Sequence, residues 1–369
     1  MGNGVSSEME IFAAGEMEAE LKRLGGTGDA SVKQLVEKGF HDVVQLVIRP
    51  KRALYDVHEL GPESFKLPPQ RVDPTQDEVM EVRRRDFHVV NARDLRIRCS
   101  HWQLFARAST LATVTPCLIY LHSNIGSRVD ALRVRDAALA RGFSVLAFDS
   151  CGSGLSDGLY VSMGWNEAVD LVAVLEHVEH DASVSDICFY AHSMGAFPAV
   201  SNLAIRAAGA ANKAMQAKLQ TLPHVVRTKG RHKLLKPIRA LVLDSGYASV
   251  KEINEGLLRQ MQHEGFTVPN ALLKVVMAAI NKSVKKRTDV ELESLRPVDF
   301  VPLCYAPALF IAANNDRYVS KEQSAELAAK YAGPFKILHV EGEHYDPRHP
   351  ATYTQAIDFL YDMIHPKLP

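Results

Sequence analysis

Ser193 stands where the chain changes character within a few residues. Residues 187–191 (Ile-Cys-Phe-Tyr-Ala) form a short apolar and aromatic run, the pattern of a buried strand. From Ala196 onward the sequence reads as the start of a packed helix, and His192-Ser193-Met194-Gly195 leaves no room between them for a relaxed loop. A corner that sharp forces the serine out of both elements. Its Oγ is then exposed, and the next backbone N–H groups point at whatever that oxygen attacks. The pattern is G-x-S-x-G, with Ala191, the smallest substitute, in place of the first glycine. The plain alternative is a buried strand that happens to end in Ser-Met-Gly. A serine hydroxyl attacks only when an adjacent base takes its proton, and that base must itself be oriented by a third group. The chemistry therefore calls for a histidine, an acid and oxyanion donors from elsewhere in the chain.

Alternating strand and helix patterns are available to hold them. Residues 87–90 and 95–104 read as a hairpin turning at Asn91-Ala92-Arg93-Asp94. Strand patterns follow at 117–121, 143–148, 187–191, 238–243, 309–313 and 336–340. Helical patterns fall at 129–141, 165–179, 196–208, 321–331 and 352–364. A hairpin followed by βα alternation predicts an α/β protein, its mostly parallel sheet covered by helices on both faces.

In such a sheet ligands sit outside the carboxyl ends of the strands. After Leu121 comes His122-Ser123-Asn124-Ile125-Gly126-Ser127, a small, polar loop whose backbone can lie close to a reacting carbonyl. After Phe148 comes Asp149-Ser150-Cys151-Gly152-Ser153-Gly154, which meets neither the dinucleotide fingerprint nor the P-loop spacing. The last two strands end in Asn314-Asn315-Asp316 and in Glu341-Gly342-Glu343-His344. Ser193, Asp316 and His344 thus follow in the chain order expected of a triad built on this kind of sheet.

With these pieces the chain, over roughly 81–364, resembles the α/β-hydrolase fold superfamily. It is most similar to the serine aminopeptidase-like branch, with its lysophospholipase-like and protein-depalmitoylase-like members. The motifs carrying the resemblance are Leu121-His122-Ser123-Asn124, Phe148-Asp149 with Gly152-x-Gly154-x-Ser156-x-Gly158, Ala191-His192-Ser193-Met194-Gly195, Asp316 and Gly342-x-His344. Ser123, where the family usually has glycine, and Ala191 depart from its pattern. The resemblance implies Ser193 as nucleophile, His344 as base and Asp316 as its orienting acid. It also implies the N–H groups of Met194 and Asn124 as oxyanion hole, with His122, Ser123 and Asp149 supporting the loops. It implies no cofactor and no metal. The expected activity is that of a serine hydrolase on small-molecule or lipid-type acyl esters or thioesters; a silent binding protein of the same fold, or a peptidase, are the alternatives. Asp244, at the end of the 238–243 strand, is the rival acid. His192, His339 and His349 are expected to be structural.

The expected organisation is an N-terminal extension over 1–80, a hydrolase domain over 81–364 and a short tail at 365–369. Two regions exceed the minimal fold: an insertion at 210–236 and a helical lid at 247–302, in which 270–284 is apolar enough to cover a groove. Lys and Arg number 43 against 43 Asp and Glu, so nothing global points to nucleic acid as a partner. Cys99, Cys117, Cys151, Cys188 and Cys304 lack paired spacing and read as free thiols in a reducing, cytoplasmic setting. Met1-Gly2-Asn3-Gly4-Val5-Ser6 matches the pattern for myristoylation at Gly2. Basic residues at 227–236 and 282–287 would add a second signal for peripheral membrane contact if both flanked the site opening.

Overall fold

The structure is a computed structural model and describes residues 51–67, 80–106, 109–232, 235–263, 281–282 and 284–366. Among the described residues, nine strands form one sheet in the order β1-β2-β3-β5-β4-β6-β7-β8-β9. β1 (Ser64–Lys66), β2 (Glu81–Val90) and β3 (Arg96–Phe105) are antiparallel neighbours. β5 (Ser144–Phe148), β4 (Thr115–Leu121), β6 (Val184–His192), β7 (Ile238–Asp244), β8 (Ala308–Ala313) and β9 (Phe335–Val340) run parallel. The hairpin-then-alternation pattern thus becomes one sheet of both kinds.

Alternation along the strands explains the two cores. Ile187, Phe189 and Ala191 of β6, with Cys117, Ile119 and Leu121 of β4, face one layer. That layer holds α2 (Trp165–Glu179) and α3 (Ala196–Arg206). Cys188 and Tyr190, with Leu118 and Tyr120, face the other, where α1 (Leu132–Ala140) and α6 (Pro350–Ile364) pack. Because both faces are covered, these strands read as near-continuous apolar runs. All five cysteines are buried and unbridged.

Three differences from the sequence pattern have physical causes. β2 begins at Glu81, six residues before the apolar signal. Its charged half still pairs with β3, Glu81 opposite Phe105 and Arg83 opposite Gln103, and the Arg83 guanidinium lies 4.3 Å from the Phe105 ring centre. The segment expected as a wrapping extension outside the domain also supplies a strand of its sheet, β1, preceded by a strap, 51–63, whose 3₁₀ turn at Val57–Leu60 buries Leu60 completely.

The third difference is a correction. The 210–236 insertion lies at the amino ends of the strands, at the opposite end of β6 from the elbow. α3 leaves the elbow antiparallel to β6, so the insertion begins where α3 ends, beside the strands' amino ends. Lys236 Nζ there donates to the Val178 carbonyl at 2.9 Å and to the Asp181 carbonyl. Leu219, Leu222 and Val226 anchor the insertion in the core. The 227–236 basic cluster therefore does not flank the site opening. In the lid region, α4 (Val250–His263) is present, whereas most of the expected covering helix at 270–284 lies outside the described residues; α5 (Lys321–Lys330) joins β8 to β9. The 1–50 segment, with Gly2, lies outside them too. No described helix is long and apolar enough to cross a membrane.

Candidate active site

The end of β6 delivers Ser193 into a 3₁₀ turn with φ of +53°, a conformation rarely adopted by residues other than glycine. The strain is held because β6 and α3 are both deeply packed. Gly195 is required here for space, since a Cβ would come within 2.6 Å of the Leu121 carbonyl oxygen. Ala191 in place of glycine is accommodated inside β6, paired with Leu121 and Leu243 on its neighbours.

Ser193 Oγ lies 2.7 Å from His344 Nε2. His344 Nδ1 lies 2.6 Å from Asp316 Oδ2. The carboxylate can only accept, so Nδ1 carries the proton and Nε2 is left to accept from the serine hydroxyl. Asp316 Oδ1 accepts from the Tyr318 and Val319 backbone N–H groups at 2.9 and 2.8 Å. Burial works against the Asp316 carboxylate. The hydrogen bond and charge of His344, the Val319 N–H and the Ser245 side chain outweigh it and hold its pKa below the usual value. All three side chains are buried, so the serine that the sharp corner was expected to expose is instead covered. The structure thus brings together the three residues singled out by chain order.

The supporting loops are equally specific. His122 donates from Nδ1 to the Ser123 carbonyl at 2.6 Å and accepts at Nε2 from the Ser150 N–H at 2.9 Å, which ties the two glycine-bearing loops together. Asp149 accepts from the Arg128 N–H at 2.8 Å, the Leu155 N–H at 2.9 Å and Tyr55 Oη at 2.7 Å. Ser123 and Asn124 are buried, and Met194 is fully enclosed.

The rival candidates are engaged elsewhere. Asp244 forms a buried ion pair with Arg348, Oδ1 lying 3.1 Å from Nε and 3.0 Å from Nη2, and accepts from Tyr190 Oη at 2.8 Å. His192 donates from Nε2 to the His344 carbonyl at 3.1 Å, and burial drives its pKa down to about 4, so it stays neutral. His339 is exposed on the edge strand β9. His349 caps α6, accepting from the Ala351 N–H at 3.2 Å.

Several residues around the site carry no motif signal. Tyr345 stands edge-on to His344 with ring centres 4.6 Å apart, and its Oη donates to Asn124 Oδ1 at 3.0 Å. Tyr318 lies 5.6 Å from the same imidazole. In the strap, Arg52 donates to the carbonyls of Ser153, Gly154, Ser156 and Gly158. Ala53, Leu54 and Tyr55 of the strap, with Ser123, His192 and Tyr345, also line a cavity of about 290 Å³. The one available sequence cue was position: Tyr345 and Arg348 follow His344 within four residues.

No protein-family model matches this sequence, and no curated protein matches it. Solved structures do. The Pyrococcus furiosus esterase Pf2001 superposes with a TM-score of 0.53 at 16% identity, covering 82% of this chain and 97% of its own. Est1E from Butyrivibrio proteoclasticus, solved with ferulic acid, gives 0.51 at 18% identity, covering 76% of this chain and 99% of its own. At such identities the likeness concerns the path of the backbone. Together with the sheet order and the serine elbow after β6, it leads to one conclusion: this chain has the α/β-hydrolase fold.

Proposed function

We propose that the protein is a serine hydrolase that cleaves carboxylic esters or thioesters through an acyl-enzyme intermediate. The observation that carries this is the unbroken hydrogen-bonded line from Ser193 Oγ through the His344 imidazole to Asp316, at 2.7 and 2.6 Å. In this reading Ser193 Oγ attacks the substrate carbonyl carbon while its proton passes to His344 Nε2. Asp316 keeps the imidazole in the required tautomer and stabilises the imidazolium that forms. The N–H groups of Met194 and Asn124 receive the oxyanion, a contribution worth ~10²–10³ in kcat per donor. Collapse of the tetrahedral intermediate releases the alcohol or thiol, which takes the proton from His344. A water molecule, deprotonated by the same nitrogen, then attacks the acyl-Ser193 carbonyl; collapse breaks the bond to Ser193 Oγ, which takes the proton back from His344 as the carboxylic acid leaves.

The esterase likeness of the superposed structures supports an ester class, and the resemblance to lysophospholipase-like and depalmitoylase-like proteins favours an acyl chain in the substrate. The Gly2 pattern adds a proposed myristoyl group that brings the protein to the cytoplasmic side of a membrane, where such substrates reside. The direct test is labelling with a fluorophosphonate followed by turnover of esters and thioesters of graded acyl length. Wild-type protein should be labelled and Ser193→Ala should not. Folded wild-type protein that resists labelling would leave a silent binding protein as the better description.

A further inference from the structure

Arg348 lies in the turn between the histidine loop and α6, its side chain almost wholly buried. It makes more polar contacts than one structural ion pair requires. Nε and Nη2 both donate to Asp244 Oδ1 at the end of β7, at 3.1 and 3.0 Å, and Nε also lies 3.4 Å from Oδ2. Nη2 also donates to Ser245 Oγ at 3.0 Å and meets the His344 carbonyl at 3.4 Å, while Nη1 donates to the Glu343 carbonyl at 2.7 Å. Its own N–H donates to Tyr353 Oη of α6 at 2.9 Å.

Two of these contacts fall on the backbone of the base-bearing turn, and a third leads to the acid. Ser245, held at φ of +49°, sits between the arginine and the Asp316 carboxylate, to which its side chain is hydrogen-bonded. Asp244 ends β7 and Asp316 lies in the turn after the neighbouring parallel strand β8, with β7 and β8 in register from Leu241 opposite Ala308 to Asp244 opposite Ile311. A guanidinium is planar, permanently charged and forked. It can satisfy one aspartate completely while directing its remaining N–H groups at the turn that must place an imidazole over the other.

We propose that Arg348 is a positioning residue for catalysis: bound to Asp244, it commits that carboxylate to an anchoring role and fixes the His344 turn so that the imidazole engages Asp316 and Ser193. This rests on the hydrolase reading above and adds a role for a residue outside the triad. The geometry also separates the two aspartates, one engaged by an arginine and one by the histidine.

The experiment compares Arg348→Met, Arg348→Lys and the double variant Asp244→Asn with Arg348→Met against wild type. It uses the full chain, with a soluble p-nitrophenyl ester as substrate and thermal melting as the stability readout. Arg348→Met should lower kcat by about 10²-fold with KM changed less than about threefold, because a displaced base affects the transition state more than substrate binding. Arg348→Lys keeps the charge and loses the fork, so it should recover only part of kcat. The double variant removes the unpaired buried charge and should regain melting temperature while kcat stays low. That split separates positioning from mere stability. Recovery of kcat together with melting temperature in the double variant, or a kcat within threefold of wild type in any folded Arg348 variant, would overturn the proposal. If Arg348→Met does not fold, the lysine and double variants decide alone. Wild type that fails to react with fluorophosphonate overturns the hydrolase reading and this proposal with it. Wild type that reacts, with Arg348 variants unimpaired, overturns this proposal alone.

Discussion

At the scale of single residues, Asp316 and Asp244 pose the sharpest question. Both stand at or just after the end of a parallel strand, both are buried aspartates, and the sequence offered only chain order to choose between them. The side-chain partners separate them: Asp316 binds the imidazole, while Asp244 binds Arg348 and Tyr190. Asp316→Asn should therefore leave the melting temperature nearly unchanged while lowering kcat by roughly 10⁴, since the amide favours the wrong imidazole tautomer. Asp244→Leu should do the reverse first. It strands a buried guanidinium, a loss of about 3–5 kcal/mol for pairs of this kind, and should appear chiefly in denaturant or thermal melting. A larger kcat loss in a folded Asp244→Asn than in Asp316→Asn would move the acid to β7. Ser193 and His344 were legible because a strained elbow and a strand-end histidine leave local patterns. Arg348, Ser245 and Tyr345 were not, because Arg348 meets Asp244 and Ser245, and Tyr345 meets Asn124, only across long separations in the chain.

At the scale of elements, strands buried on both faces announce themselves through composition, which is why β4 to β8 could be read closely. The first half of β2 could not, because a half-exposed strand near the edge tolerates Arg83 and Arg85, and the buried Arg84 is held by Asp86 and the Gly61 carbonyl, partners invisible in sequence. The join between the glycine-bearing loop and α2 was equally hidden. Asp170 of α2, fully buried, accepts from Asn91 Nδ2 at 2.6 Å and from the Cys151 N–H at 2.8 Å, with Arg93 3.8 Å away. Burial raises its pKa from 3.8 to about 7 despite these partners. The folded state then binds a proton that the unfolded chain releases near its ordinary carboxylate pKa. Asp170 contributes stability that is complete below about pH 4 and is lost progressively as pH rises through about 7. Melting wild type and Asp170→Asn across this range should show the wild type losing ground to the variant with rising pH. Parallel curves would mean that Asp170 stays ionised in the folded protein.

For the whole molecule, the placement of the inserted segments decides how the protein could meet a membrane. An insertion after a helix that leaves the elbow starts at the amino ends of the strands, a consequence of parallel topology that charge patterning alone does not reveal. Its basic residues are also engaged: Lys229 pairs with Glu176 at 3.0 Å, and Arg227 Nε donates to the Leu222 carbonyl at 2.9 Å. In the second cluster Lys285 pairs with Glu291. A single myristoyl chain gives only marginal binding unless a second signal assists it. Each basic residue near an anionic leaflet adds ~1 kcal/mol, less when it already has an acidic partner. N-myristoylated protein should therefore sediment weakly with vesicles, with a modest preference for anionic over neutral lipid that fades as salt is raised. Gly2→Ala should abolish the binding. The double variant Arg227→Gln with Lys229→Gln should leave it unchanged, because those side chains face away from the mouth when Ser193 faces the lipid. Release by that double variant as complete as release by Gly2→Ala would mean that the side at the strands' amino ends is the one that meets the membrane, with Ser193 turned toward the solution.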